Sequence, residues 1–339
     1  MTLKRVAQDL NLSVTTVSRA LNGYSDVSES TREKVIDAAR RVGYVPNRLA
    51  QALQRGTAEA VGIILPSQFG HFEDPFFLEL LVGIGERLHN ANLDLVVCAV
   101  PEGPAELDAY KRLVEGRRAD AIIVARTRRQ DERIDYLIDR GVPFVTHGRA
   151  ETREPIAFID ADARTAFRRS TRRLIELGHR RIALIGAPEE LFTAGERKAG
   201  YEDALREAGI AFDPNLYAVT KLNERGGTAA AERLLQAETR PTALLCANDT
   251  VALGALRIAR RLGITVPEEL SIVGFDDLPM AAQAEPALTT MRQDIRRAGA
   301  RLAEMTCARL GGTAVNDLQE LLEAPLIERE STGPAPGGA

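Results

Sequence analysis

Polar, hydrogen-bonding side chains recur at the ends of short apolar runs in this 339-residue chain. Asn248-Asp249 follows TALLCA, Asp276-Asp277 follows LSIVGF and Arg126 follows ADAIIVA, while His147 ends VPFVTH and Asp160 ends IAFID. Asp74-Pro75-Phe76-Phe77 lies in the loop after VGIILP, and Arg197 lies near a helix start. A rim of amides, carboxylates and guanidinium groups can make paired contacts to adjacent hydroxyls. Phe72, Phe76 or Phe192 can supply an apolar wall for ring C–H groups. That combination suits saccharides. Taken singly, each residue also fits a loop cap or a surface charge.

Other chemistries find less support. GxSxG, P-loop, GxGxxG and zinc-ligand motifs are absent, and the Ser, His and Asp residues have no catalytic spacing. Neither an enzyme nor a cofactor is expected. Asp249 opens a helix, where an anion is ordinary, and Glu268-Glu269 follows Pro267 in a loop. Cys98, Cys246 and Cys307 lie far apart and read as buried, reduced thiols of a cytoplasmic protein. His71, His89, His147 and His179 are equally scattered, which argues against a metal site.

A second chemistry sits at the front of the chain. Residues 1–60 carry nine Lys or Arg against six Asp or Glu, a local charge of +3 that leaves −7 for the remainder. A basic front on an acidic body suits a small phosphate-binding module joined to a regulatory domain. Leu3, Val6, Ala7 and Leu10 form one helical stripe, and Ser13 can cap a second helix that buries Val17, Ala20 and Leu21. Thr15, Thr16, Ser18, Arg19 and Asn22 make its outer face, short side chains able to reach base edges or phosphates. Asn22-Gly23 stops it. Ser28 or Ser30 (the latter in a capping box with Glu33) can start a third helix burying Val35, Ile36, Ala39 and Val42. The pattern is a helix-turn-helix, although a three-helix bundle with a merely solvated face has the same periodicity. The next segment, from Val45-Pro46-Asn47 to Leu53 and Gly56, is too short for a helix that is stable alone.

The elements that must position the first set are short strands alternating with helices. Strands are predicted at 61–66, 93–100, 119–125, 142–147, 156–160, 181–186, 216–219, 242–248 and 270–275. Helices are predicted at 77–91, 104–116, 131–140, 164–178, 196–209, 226–237, 249–262 and 294–310. Runs this apolar suit parallel sheets covered on both faces, and ligands then bind beyond the carboxyl ends of the strands. No run of about 18 apolar residues or secretory leader is present.

Residues 3–57, with VAQDLNLS, TTVSRALN and VSESTREKVIDAARRVGYVPNRLAQAL, resemble the headpiece and hinge of the lactose-repressor (LacI/GalR) family. The motifs ERKAGYEDALREAGI, PTALLCANDTVALGALRIARRLG, SIVGFDD and PALTTMRQD extend that resemblance to residue 329. It implies an α/β core of two parallel-sheet subdomains, similar to periplasmic sugar-binding proteins, behind an all-α helix-turn-helix headpiece. The implied domains are a headpiece at 1–45, a hinge at 46–58 and a core at 59–329, followed by a disordered tail at 330–339. Within the core, one subdomain takes 59–160 and 291–320, the other 161–290 and 321–329.

By position, the resemblance makes Val14, Thr15 and Arg19 base readers and places Thr16 and Asn22 on phosphate. Asn47 falls in the hinge, and Leu53 becomes the minor-groove wedge. It makes Arg197, Asn248 and Asp276 the foremost effector contacts, followed by Asp74, Phe76, Arg126 and His147. Gly148-Arg149 departs from the family's Asp-before-Arg, and Leu222 stands where some relatives carry an aromatic residue. The implied partners are a palindromic DNA operator, a mono- or disaccharide and a second copy of the chain, in the cytoplasm and at the nucleoid when DNA-bound. Alternatives are co-repression or activation by a purine or phosphosugar, and a sugar-transport protein.

Overall fold

The computed structural model describes residues 3–44, 56–66, 75–101 and 103–337, which form two compact units divided at Glu59 and Ala60. The first holds α1 (Leu3–Asp9), α2 (Val14–Leu21) and α3 (Glu29–Arg41). Its core is Val6, Ala7, Val17, Ala20, Val35, Ala38 and Ala39. Ala38 takes the buried place expected of Ile36, since small side chains let the helices approach closely. Ser28 caps α3, accepting from Thr31 N, so the Ser30–Glu33 box is not used.

The second unit contains two sheets. In chain order its elements are β1 (Ala60–Pro66), α4 (Pro75–Asn90), β2 (Asp94–Val100), α5 (Pro104–Glu115), β3 (Ala121–Ala125), α6 (Glu132–Asp139), β4 (Phe144–His147) and β5 (Phe158–Ala161). There follow α7 (Ala163–Glu176), β6 (Ile182–Gly186), α8 (Phe192–Glu207), β7 (Tyr217–Val219), α9 (Glu224–Leu235), β8 (Ala243–Cys246), α10 (Asp249–Arg261) and β9 (Ser271–Asp276). The chain ends with α11 (Pro279–Gln283), β10 (Thr289–Arg292), α12 (Ile295–Leu310), β11 (Gln319–Leu322) and β12 (Leu326–Ile327).

The strand orders β2-β1-β3-β4-β5-β11 and β7-β6-β8-β9-β10-β12 correspond, and among the described residues only β12 runs antiparallel to its neighbour strand. Burial on both faces explains the continuous apolar runs. In the first lobe Ile63 and Ile123 pack beneath α4 and α12, while Ile64, Ile122 and Val124 pack beneath α5 and α6. Where α4 crosses α12, the backbones nearly touch. A Cβ on Gly83 would lie 2.1 Å from Arg296 O, and one on Gly299 would lie 2.3 Å from Leu80 O.

Three short strands went unpredicted. β10 is polar (TTMR), and Thr289 and Thr290 are buried because remote partners satisfy them: Ser331 Oγ accepts from Thr289 N, and Asp249 accepts from Thr290 Oγ1. β11 extends the first sheet through Leu322, two residues past the expected boundary, and β10 keeps residues 289–292 in the second sheet. The expected disordered tail is packed as far as Ala335. Ser331 is fully buried and bonds Ile272 through its backbone, Gly333 O meets the His179 ring at 3.1 Å, and Ala335 N donates to Leu177 O. Backbone groups carry these contacts, which is why composition did not reveal them.

Candidate functional site

Parallel strands end on the same side, so residues that follow different strands meet between the lobes. From the first lobe come Phe76 and Phe77 at the start of α4, Arg126 and Thr127 after β3, His147 and Gly148 at the end of β4, and Asp160 on β5. The second lobe supplies Arg197 on α8, Leu222 after β7, Asn248 after β8, Phe275 and Asp276 on β9, and Gln293 after β10. They line a cleft cavity of about 770 Å³ including its mouth, a size suited to a small molecule. Of the seven expected effector contacts, Phe76, Arg126, His147, Arg197, Asn248 and Asp276 thus converge, and Asp74 lies outside the described residues. Thr127, Phe275 and Gln293 were not anticipated. Phe192 is not part of the lining.

Arg197 is the most unusual group. It is only 7% exposed, and its Nε and Nη1 are buried without hydrogen-bond partners. Its guanidinium lies 4.9 Å from the Phe275 ring centroid and 5.8 Å from that of Phe167. Burial pushes its pKa below the usual arginine value, against the opposing pull of Asp276 and Asp160. Unsatisfied buried donors are costly, and a ligand oxygen would satisfy them.

The other polar groups are held in place. Asn248 caps α10, its Oδ1 accepting from Val251 N at 3.0 Å, which leaves its amide nitrogen as the group to offer a ligand. Asp276 accepts from Gln293 Nε2 at 2.6 Å, and Asp160 from Arg149 Nε at 2.9 Å. The cap of α10 is therefore Asn248 rather than Asp249. Asp249 is fully buried, bonded to Thr290 Oγ1 and Leu278 N, and burial lifts its pKa to about 7. Glu269 braces its loop through Thr265 and Arg240, the role of a structural carboxylate.

His147 packs edge-on against Phe76 with ring centroids 5.4 Å apart. Burial lowers its pKa to about 4, so it is neutral at pH 7. Between pH 6.5 and 4 the unfolded chain takes up a proton that the folded one does not, so this histidine makes stability fall with acidification. Urea unfolding at pH 5 and pH 7 should show wild type losing about 2 kcal/mol more than His147→Gln. Equal losses would mean that His147 titrates freely.

Arg126 has φ +53°, a left-handed conformation that needs outside support. A buried ion cluster provides it. Arg133 donates to Asp131 at 2.8 and 2.7 Å, to Glu106 at 3.0 Å and to the Arg126 carbonyl at 2.9 Å. Arg128 adds a bond to Glu106 at 2.8 Å. Arg133→Ala takes the buried countercharge from Asp131 and one of two from Glu106, and should cost about 3 kcal/mol in urea unfolding. A loss under 1 kcal/mol would show that the cluster is dispensable.

In the headpiece, Val14 and Thr15 are exposed at the start of α2, with Val14 40% accessible. Thr16 Oγ1 lies 2.8 Å from Ser13 Oγ, and Asn22 Nδ2 donates to Ser18 Oγ at 3.3 Å, so both join the helix ends. Arg19 is exposed, held by Asp26 at 2.6 Å and lying 5.1 Å from the Tyr24 ring centroid. The five residues share one helix and its caps. Asn47 and Leu53 lie outside the described residues. Among the described residues, no cluster of three or more His, Cys, Asp or Glu could hold a metal, and no helix is long and apolar enough to cross a membrane. Cys246 is buried, whereas Cys98 and Cys307 are only half-buried, less than expected.

Known proteins resemble both the headpiece and the two-lobed unit. Residues 2–47 match the model of bacterial regulatory proteins of the lacI family, and residues 171–332 match a periplasmic binding protein-like domain. The HTH-type transcriptional regulator AglR of Rhizobium meliloti is 39% identical, over 98% of this chain and 95% of its own. The transcriptional regulator CelR–cellobiose complex is 32% identical with a TM-score of 0.76, covering 98% of this chain and 99% of that one. The Lac repressor dimer bound to operator and the anti-inducer ONPF is 29% identical with a TM-score of 0.85, again covering 98% and 99%. The chain therefore belongs to the lacI family of bacterial regulatory proteins and is a DNA-binding transcriptional regulator.

Proposed function

We propose that the protein is a homodimeric repressor of carbohydrate-utilisation genes, working in the cytoplasm, that leaves a palindromic operator when a neutral mono- or disaccharide enters the cleft. The observation that carries the reading is Arg197, a buried guanidinium with two unpartnered N–H groups in one cavity with Asn248, Asp276 and Asp160. Such a set pairs with vicinal hydroxyls, and Phe76 offers a ring face or edge to sugar C–H groups. Val14, Thr15 and Arg19 would read bases, Thr16 and Asn22 would touch phosphate, and Asn47 and Leu53 would act at the minor groove. The cellobiose held by CelR, a relative of nearly full length, supports the ligand class. The dimer of the similar Lac repressor supports the assembly. Residues 1–45 would form the DNA-binding domain, 46–58 the hinge, and the two lobes the effector domain.

Thermal unfolding against a panel of mono- and disaccharides, phosphosugars and purines tests this. A true effector stabilises the folded state by RT ln(1 + [L]/Kd), about 2.7 kcal/mol at a hundredfold excess over Kd. A neutral sugar should be the class that raises the melting temperature. A shift confined to purines or phosphosugars would overturn the sugar reading.

A further inference from the structure

A further set of contacts joins the lobes at the edge of the cavity, sharing Thr127 and Leu191 with its lining. Residues 127–129, after β3, run antiparallel to residues 190–192 at the start of α8. Arg129 N donates to Glu190 O at 2.8 Å, Phe192 N donates to Thr127 O at 3.1 Å, and Arg128 bridges Leu191. Two cations of the first lobe then hold the half-buried Phe192 ring, Arg149 at 5.1 Å and Arg129 at 5.9 Å from its centroid. Both cations are braced. Arg129 pairs with Glu151 at 2.6 Å, and Arg149 donates to Asp160 on its own lobe and to Glu196 on α8, each at 2.9 Å. Arg149, preceded by Gly148 where the family has Asp, therefore joins the two lobes. Phe192, Arg129, Arg149 and Glu196 are all absent from the cavity lining.

We propose that Phe192 and its two arginines form an interlobe clasp, a positioning device that keeps the lobes closed through groups no cleft ligand touches. Cation–π contacts and a lobe-spanning ion pair act whenever the lobes meet, whatever lies in the cavity. Phe192 thereby sets the closed fraction of the protein. On the reading of the cleft as the effector site, apparent effector affinity scales with that fraction.

The test needs no effector. Spin labels on Asp108→Cys in α5 and Arg206→Cys in α8, in a Cys98→Ser, Cys307→Ser background, report the interlobe distance by pulsed double electron resonance. The labelled full-length protein is diluted with unlabelled chain, so that only distances within one molecule are read. The parent protein should give one narrow distribution without added sugar. Phe192→Ala should move at least half of it to longer distance, Phe192→Tyr should restore the parent distribution, and Arg149→Gln should give an intermediate shift. Arg149→Gln also serves as the test should Phe192→Ala fail to fold. Parent-like distributions for Phe192→Ala or, in that event, Arg149→Gln would overturn the clasp, as would a parent protein that is already mostly open. Because no sugar is present, a failed sugar panel leaves this result standing.

Discussion

Replacing Arg197 by methionine should give a protein that still binds its operator and no longer answers its effector. Charge-assisted hydrogen bonds contribute about 1.5–3 kcal/mol each. Loss of the two N–H groups that lack protein partners should therefore weaken effector binding roughly 10²- to 10⁴-fold. Stability should not fall in parallel. The substitution removes a buried, incompletely satisfied cation, while methionine keeps the contact with Phe167 and Phe275. Its two acidic neighbours retain their own partners, Asp160 with Arg149 and Asp276 with Gln293. The informative pair of measurements is the effector-free melting temperature and its rise with sugar. An unchanged first value with an abolished second is expected. A normal effector response in Arg197→Met would remove the guanidinium from ligand recognition.

Arg19→Ala should have the second large effect, on DNA. A bidentate arginine–base contact discriminates by about 1–3 kcal/mol, and a dimer uses it twice, so specific affinity should fall roughly 30-fold to 10⁴-fold. Binding to random duplex should weaken far less, because phosphate neutralisation is distributed over many groups. Asp26 holds Arg19 side-on in the structure, with Nε at 3.2 Å from Oδ1 and Nη2 at 2.6 Å from Oδ2. The guanidinium is thus oriented before it meets DNA. Equal losses on specific and random duplex, read by fluorescence anisotropy at fixed salt, would assign Arg19 to phosphate.

The cleft was legible because parallel strands share an exit side: Arg126, His147, Asn248 and Asp276 each follow an apolar run that had to be a strand. Their burial and pairing were not legible. That Arg197 Nε and Nη1 lack partners while Asp276 has Gln293 depends on residues distant in sequence that the fold brings together. Gln293 was missed because the strand before it is four residues long and half threonine, a strand only in the company of Ser331 and Asp249. Phe192 was one of three candidates for a cavity wall. Its place among arginines depends on the pairing of residues 127–129 with 190–192, which leaves no periodic trace in sequence. The tail was misread for a related reason: Pro- and Gly-rich composition reports weak propensity, whereas backbone bonds from residues 331, 333 and 335 fix it to the second lobe.

The most direct test of the account is operator release. A duplex selected by the protein from random sequence, labelled at one end, is held in the complex and titrated with the sugar that raises the melting temperature most. A ligand that binds the two states with different affinity must shift the equilibrium between them, and moving it from 1:99 to 99:1 requires about 5.5 kcal/mol of differential binding. The selected sequence should be palindromic, and its affinity should fall at least tenfold at saturating sugar, with no such fall in Arg197→Met. Unchanged or tightened DNA binding at saturating sugar would contradict sugar-driven release.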